Sequence, residues 1–230
     1  MPVSLYVIGD LHLSFGTDKP MDIFRGWQDY VERLTENWQS KITPEDTVVI
    51  AGDLSWGMTM EEAREDFRFL DRLNGHKIVL KGNHDYWFST KTKVENALAA
   101  DGIKTVSILF NNAYPYGEYA LCGTRGWMNE PGTAADKKVL AREAGRLKLS
   151  LEAGKALGKQ PIVFLHYPPI AVNSCAEDLL GLMQEYGVTR CYYGHLHGQS
   201  CLNALYGQYR GVEYRLISGD YIQFNPELVI

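Results

Sequence analysis

The chain has 230 residues, of which 45% are hydrophobic and 22% charged, with a formal net charge of −5. This is the balance of a soluble globular protein long enough to bury a sizeable core, and it excludes a disordered chain. Net negative charge gives no overall attraction for a polyanion, no apolar run approaches bilayer length, and Met1-Pro2-Val3 leads into a strand without a signal-peptide pattern, so a cytoplasmic protein without a membrane partner is expected.

The first predicted element is a strand over Val3 to Ile8. Phe24, Trp27, Val31, Leu34 and Trp38 then follow at spacings of three and four, which predicts one helix with a single apolar face and Pro20 near its start. A strand at Val48 to Ala51 precedes a second helix from Thr59, where Thr59 and Glu62 form a capping-box pattern, through Ala63, Phe67 and Leu70 to Asn74-Gly75. His76 opens the next strand, Ile78 to Leu80, and as a lone histidine reads as a surface or structural residue. Thr105 to Phe110 and Glu118 to Cys122, joined through Asn111 to Gly117, read as a hairpin-like pair.

A long helix follows Thr133, with Leu140, Ala144, Leu147 and Leu151 inward. Gly154 to Lys159 reads as its frayed end, since the spacing is wrong for a phosphate loop and Gln160 stands where Ser or Thr should. Strands at Ile162 to Leu165 and Cys191 to Tyr193 bracket a helix from Leu179 to Tyr186, and Glu213 to Ser218 is a last strand. Cys122, Cys175, Cys191 and Cys201 form no C-x-x-C pair and read as reduced thiols. Strand–helix alternation implies sheets covered by helices.

Five polar pieces end the apolar runs: Asp10-Leu11-His12, Gly52-Asp53, Gly82-Asn83-His84-Asp85, His166, and Gly194-His195-Leu196-His197. Every histidine but His76 lies inside them. Ligands of open α/β sheets bind beyond the carboxyl ends of the strands, so the five pieces are expected to meet in one crevice. They supply two carboxylates (Asp10, Asp53), an amide oxygen (Asn83) and four imidazoles (His12, His166, His195, His197). Such an oxygen and nitrogen set without thiolate suits Mn, Fe or Zn, with Mg possible, and seven ligands exceed what one tetrahedral zinc needs, so a pair of ions sharing a ligand is expected. Because the ligands run from 10 to 197, residues 1–230 are expected to form a single domain.

These pieces, in this order, resemble the calcineurin-like metallophosphoesterase superfamily, whose motifs run D-x-H, G-D, G-N-H-[DE], H and G-H-x-H. The resemblance implies an α/β fold, an αββα sandwich of two mixed sheets flanked by helices. It also implies Asp10, His12, Asp53 and His197 on one metal, with Asp53 as the bridge to a second held by Asn83, His166 and His195. A hydroxide between the metals would be the nucleophile, with His84 near the leaving group and Asp85 orienting it. Protein Ser/Thr phosphatases carry G-D-Y-V-D-R-G and G-N-H-E; here the blocks read Gly52-Asp53-Leu54-Ser55-Trp56-Gly57 and Gly82-Asn83-His84-Asp85, away from that branch. Leu165-His166-Tyr167-Pro168-Pro169 is similar to a segment of small-substrate and nucleotide-directed members without choosing among them.

His84 is best used as a general acid, the alternative being a histidine that packs beside the cluster. Asp220 is a candidate partner for the far nitrogen of a liganding imidazole, as are backbone carbonyls after Gly194. Arg125 could hold a substrate phosphate or pair with an acid. Trp56, Tyr86, Trp87 and Tyr167 sit beside motifs and could stack on a nucleobase or fill the core. The expected activity is hydrolysis of a mono- or diester of a small or medium substrate. A nuclease is the nearest alternative, which the net charge does not favour. A non-catalytic scaffold is the other, and no liganding residue is missing to support it.

Overall fold

The computed structural model of the protein describes residues 3–128, 134–171 and 174–230. The elements in chain order are β1 (Leu5–Ile8), α1 (Tyr30–Lys41), β2 (Thr47–Ile50), α2 (Arg64–Arg72), β3 (His76–Leu80), α3 (Lys91–Ala100), β4 (Val106–Leu109), β5 (Tyr114–Tyr116) and β6 (Tyr119–Thr124). They continue with α4 (Ala134–Ala156), β7 (Gln160–Leu165), β8 (Ile170–Ala171), β9 (Ser174–Cys175), α5 (Glu177–Glu185), β10 (Arg190–Tyr193), β11 (Gly207–Tyr209), β12 (Val212–Leu216) and β13 (Glu227–Leu228). Met1, Pro2 and Thr133 lie outside the described residues.

Two mixed sheets carry the fold. One runs β13-β1-β2-β3-β4 and the other β11-β12-β10-β7-β6-β5. Within each, four strands are parallel, and only the outer β13, β11 and β5 pair antiparallel. Strand side chains alternate between faces, so Leu5 and Val7 point one way and Ile8 the other. Leu5, Val7, Val49 and Ile78 meet Leu121, Ile162 and Phe164 in a fully apolar layer between the sheets. The opposite face of the first sheet packs on Leu34, Trp38, Phe67 and Val94 of α1, α2 and α3. That of the second packs on Leu147, Leu151, Leu179 and Met183 of α4 and α5. Helices, sheet, sheet, helices is the αββα sandwich expected. Among the described residues no helix is long and apolar enough to cross a membrane, and all four cysteines are free thiols.

Three expectations need correction. The helix predicted from Phe24 begins only at Tyr30, because Gly26 (φ 92°) and Asp29 (φ 51°) adopt left-handed backbone that no α-helix passes through. Trp27 is nevertheless buried, while Phe24 stays half exposed. The helix predicted from Thr59 begins at Arg64. Thr59 Oγ1 does accept the Glu62 N–H at 3.2 Å, but Glu62 turns its carboxylate to the N–H of Met58 at 2.7 Å, which completes a turn and not a helix start. Finally, Val106–Leu109 and Tyr119–Thr124 are not a hairpin. The first is the parallel neighbour of β3 and the second that of β7, and the antiparallel partner of β6 is the short β5. Asn111, at φ 58°, turns the chain from one sheet to the other, and the Asn112 side chain accepts the Phe110 N–H at 2.6 Å.

Candidate metal centre

The sheets meet at the carboxyl ends of β1 and β12, where the Gly9 N–H donates to Ile217 O at 2.8 Å. Beyond that seam the backbone turns sharply. Asp10, His12, Asp53 and His195 all have positive φ, between 45° and 74°, which costs about 1–3 kcal/mol each for a residue with a side chain. Backbone bonds hold the loops together: Asp10 N–H to Gly52 O at 2.9 Å, His12 N–H to Asp53 O at 2.9 Å, and Gly194 N–H to His166 O at 3.1 Å.

Two glycines make the approach possible. A Cβ on Gly82 would land on Asp53 Oδ1, and one on Gly194 would land on Asp10 Oδ2. The motif glycines therefore leave room for the two carboxylates to point into the centre.

All seven expected ligands converge. His12 Nε2 lies 3.4 Å from His197 Nε2 and 3.7 Å from Asp53 Oδ2, and His197 Nε2 lies 3.6 Å from Asp10 Oδ1. On the other side His166 Nε2 is 3.5 Å from Asp53 Oδ2 and 2.6 Å from Asn83 Oδ1, and His195 Nδ1 is 2.9 Å from the same amide oxygen. Asp10, His12 and His197 form one set able to hold a cation, and Asp10, Asp53 and His166 another.

The far nitrogens are partly anchored. His166 Nδ1 faces Ala51 O at 3.1 Å and His197 Nδ1 faces Asp220 Oδ1 at 2.8 Å, so each ring turns its Nε2 toward the other ligands, His166 toward Asn83 and His197 toward Asp10. His12 Nδ1 is buried without a hydrogen-bond partner among the described residues. Its ring instead stacks on Trp56 at 4.8 Å.

Without a metal the buried charges are balanced by protons. Burial, and then the charge of Asp10, raise Asp53 above the usual carboxylate range. Burial pushes Asp10 up as well, but the hydrogen bond and charge of His197, with His166 and His12, hold it below the usual carboxylate range. Burial lowers His12 and His195 to about 3, leaving their lone pairs available. His197 goes to about 10 against its own burial, because Asp10 and Asp220 hold its proton. Two buried carboxylates, facing ring nitrogens and no thiolate fit a dinuclear metal site.

The neighbours divide differently from expectation. His84 donates its backbone N–H to Asp53 Oδ1 at 2.8 Å, and its ring stands 4.5 Å from Trp56 and 5.7 Å from His12 at the edge of an open cleft. Asp85 is fully buried and does not meet that ring. Its oxygens take the N–H groups of Gly82, Asp53, Leu54 and Ser55 and the Trp87 indole, between 2.7 and 3.3 Å. Arg125 pairs with the buried Glu143 at 3.4 Å and lies over Trp127. Tyr167 packs on His195 at 4.2 Å. Of the other aromatics, Trp87 is core and Tyr86 is exposed. The cleft itself is walled by Met21, Phe24 and Trp27 with Arg25, and of these Phe24 and Trp27 are the ones that helical spacing assigns to a helix. No local signal marks them as a wall, because tertiary packing puts them there.

The model of one protein family, described as calcineurin-like phosphoesterase, matches residues 3–199. No curated protein matches the chain. Among solved structures, the phosphopantetheinyl hydrolase PptH from Mycobacterium tuberculosis aligns over 99% of this chain and 95% of its own, at 14% identity and a TM-score of 0.56. A protein of unknown function, AQ665 from Aquifex aeolicus, aligns over 98% and 95%, at 17% identity and a TM-score of 0.53. TT1561 of Thermus thermophilus aligns over 85% and 83%, at 12% identity and a TM-score of 0.55. At such identities the likeness is one of fold.

Proposed function

Because this chain belongs to the calcineurin-like phosphoesterase family, we propose that it is a dinuclear metal-dependent phosphohydrolase cleaving a mono- or diester of a small or medium substrate. The position of Asp53 carries this reading: one carboxylate oxygen lies 3.7 Å from His12 Nε2 and 3.5 Å from His166 Nε2, within reach of both halves of the centre. We assign Asp10, His12, Asp53 and His197 to one ion and Asp53, Asn83, His166 and His195 to the other. Mn, Fe and Zn suit the donors best, with Mg as a further candidate. Both sheets supply ligands, so we take residues 1–230 as one catalytic unit.

When bound, the two ions supply an acidified water and neutralise charge on the phosphoryl oxygens. The protein's share is positioning and proton transfer. Ala51 O and Asp220 fix the rings of His166 and His197, and Asp85 holds the loop that carries Asp53. His84 stands at the cleft edge, where it donates a proton to the departing oxygen. Arg125, paired with Glu143, and Tyr167, packed on His195, remain our candidates for substrate contacts beside the centre.

A net charge of −5 does not favour nucleic acid as substrate. The likeness to a phosphopantetheinyl hydrolase adds phosphopantetheinyl compounds to the substrates worth assaying. The test is to strip the protein of metal, restore Mn, Fe, Zn or Mg separately, and assay phosphomonoesters, diesters and nucleotides beside elemental analysis. Metal-dependent turnover at two ions per chain is expected. Saturation at one ion per chain would overturn the dinuclear assignment.

A further inference from the structure

The cleft beside His84 is larger than a phosphoryl group requires. Its volume is about 550 Å³, within the range of roughly 300 to 1,000 Å³ typical of sites that enclose a whole small molecule. The metal centre occupies only its floor. Met21 and Trp27 are nearly fully buried, and the Trp56 indole N–H points to Met21 Sδ at 3.3 Å, so the inner wall is apolar and already packed.

The outer lip has a different chemistry. Phe24, 52% exposed, stands beside Arg25, and Lys19 Nζ lies 4.7 Å over the Trp56 ring. Among the described residues neither Lys19 nor Arg25 makes an ion pair. Of the two carboxylates in the lining, Asp53 belongs to the centre and Asp220 is taken by His197 Nδ1 at 2.8 Å and the Gly198 N–H at 2.9 Å. Two cations without an ion pair among the described residues thus stand at this cleft, Arg25 in its lining and Lys19 over its Trp56 wall.

We propose that this cleft is the leaving-group subsite, shaped for an alcohol with an apolar body of several carbons that ends in a second anionic group. The inference rests on the phosphoesterase reading, which sets phosphorus over Asp53 and the departing oxygen toward His84. Because the His84 ring stands 4.5 Å from Trp56, whatever leaves past it runs along the Met21, Trp27 and Phe24 wall. Burial of methylenes there favours a carbon chain. Lys19 and Arg25, on flexible stems at the lip, then meet a terminal carboxylate or phosphate.

Three phosphate monoesters of primary alcohols test this with leaving groups of similar basicity: ethanol, 1-hexanol and 6-hydroxyhexanoate. kcat/KM of the metal-loaded enzyme is read beside calorimetric binding of ethylphosphonate, hexylphosphonate and 6-phosphonohexanoate, which cannot turn over. The hexyl compounds should exceed the ethyl ones about tenfold or more, and the carboxylate-ended ones should gain a further factor of about five that shrinks with salt. Phe24→Ala should cut the first advantage, and Lys19→Ala with Arg25→Ala the second. Both changes lie at the exposed lip, away from the ligands. Turnover or binding indifferent to chain length and terminal charge would overturn the subsite, as would binding of none of the phosphonates. Graded phosphonate binding without hydrolysis of any ester would keep the subsite and overturn the phosphoesterase reading instead.

Discussion

Asp85 Oδ2 accepts the backbone N–H of Asp53 at 2.9 Å, while Asp53 Oδ1 accepts the backbone N–H of His84 at 2.8 Å. One buried carboxylate thereby sets the loop of the other, and the second carboxylate sets the residue at the cleft edge. The chain of bonds runs outward from Asp85 through backbone amides alone. It places Asp85 beneath the centre, not behind the His84 ring.

Asp85→Asn should therefore weaken metal retention. All of the groups facing the Asp85 oxygens donate, so an amide NH₂ there meets N–H with N–H and loosens the Asp53 loop. Loss of such an outer partner typically costs about 10- to 100-fold in metal affinity, and that is the drop expected in a competition titration against a chelator. Unchanged affinity with reduced turnover would return Asp85 to the role of orienting His84.

Gly194→Ala should damage the centre while sparing the fold. The new methyl would occupy the place of Asp10 Oδ2, and the surrounding loop has no room to move away from the β1–β12 seam. A protein that keeps its far-ultraviolet circular dichroism but holds less metal is the expected result. Full metal content in Gly194→Ala would show that Asp10 has another route to the cluster.

Much of this site is legible in sequence because each polar piece directly follows a short apolar strand, and strand ends in such sheets converge. Asp10, Asp53 and His166 needed nothing more than that placement. The cleft is illegible for the opposite reason. Phe24 and Trp27 share helical spacing with Val31, and only the left-handed turns at Gly26 and Asp29 reveal that they belong to a loop. Arg125 finds Glu143 eighteen positions on, across from β6 onto α4, a pairing that no local pattern encodes. The β4 and β6 strands read as a hairpin because both are short, apolar and close in sequence. Which sheet each joins depends on partners far along the chain. The helix α3 had a usable signal, Thr90 capping the Lys93 N–H with Val94 and Leu98 inward.

Lys77 carries a pH signature separate from the metal centre. It is fully buried at β3, donating to Leu73 O at 2.6 Å and Gly75 O at 2.7 Å just past the end of α2, and burial lowers it from 10.5 to about 8 despite Asp71 nearby. Between those two values the unfolded chain holds the proton more firmly than the folded one. Stability from this residue therefore rises as pH climbs from about 8 to 10.5, by up to about 3 kcal/mol. The difference in unfolding free energy between wild type and Lys77→Met, measured by urea denaturation along that range, should change with this sign. A flat difference would mean that Lys77 is not desolvated in solution.

His84→Ala separates proton donation from charge stabilisation. Alanine keeps the backbone N–H that Asp53 Oδ1 accepts, and the ring it removes stands 5.7 Å from that of His12, so both metals should stay bound. What is lost is the donor at the cleft edge. General acid catalysis is worth about 10² to 10⁴-fold, and an alkyl alkoxide needs the proton whereas a nitrophenolate hardly does. The loss in kcat/KM should accordingly approach that range on alkyl esters and be far smaller on nitrophenyl esters, with metal content equal to wild type. A series of leaving groups of graded basicity gives the slope directly: it should be steeper for His84→Ala than for wild type. Parallel slopes would mean that His84 steadies charge on the phosphoryl oxygens, and the proton would then have to reach the leaving group from water in the cleft that Trp56 borders.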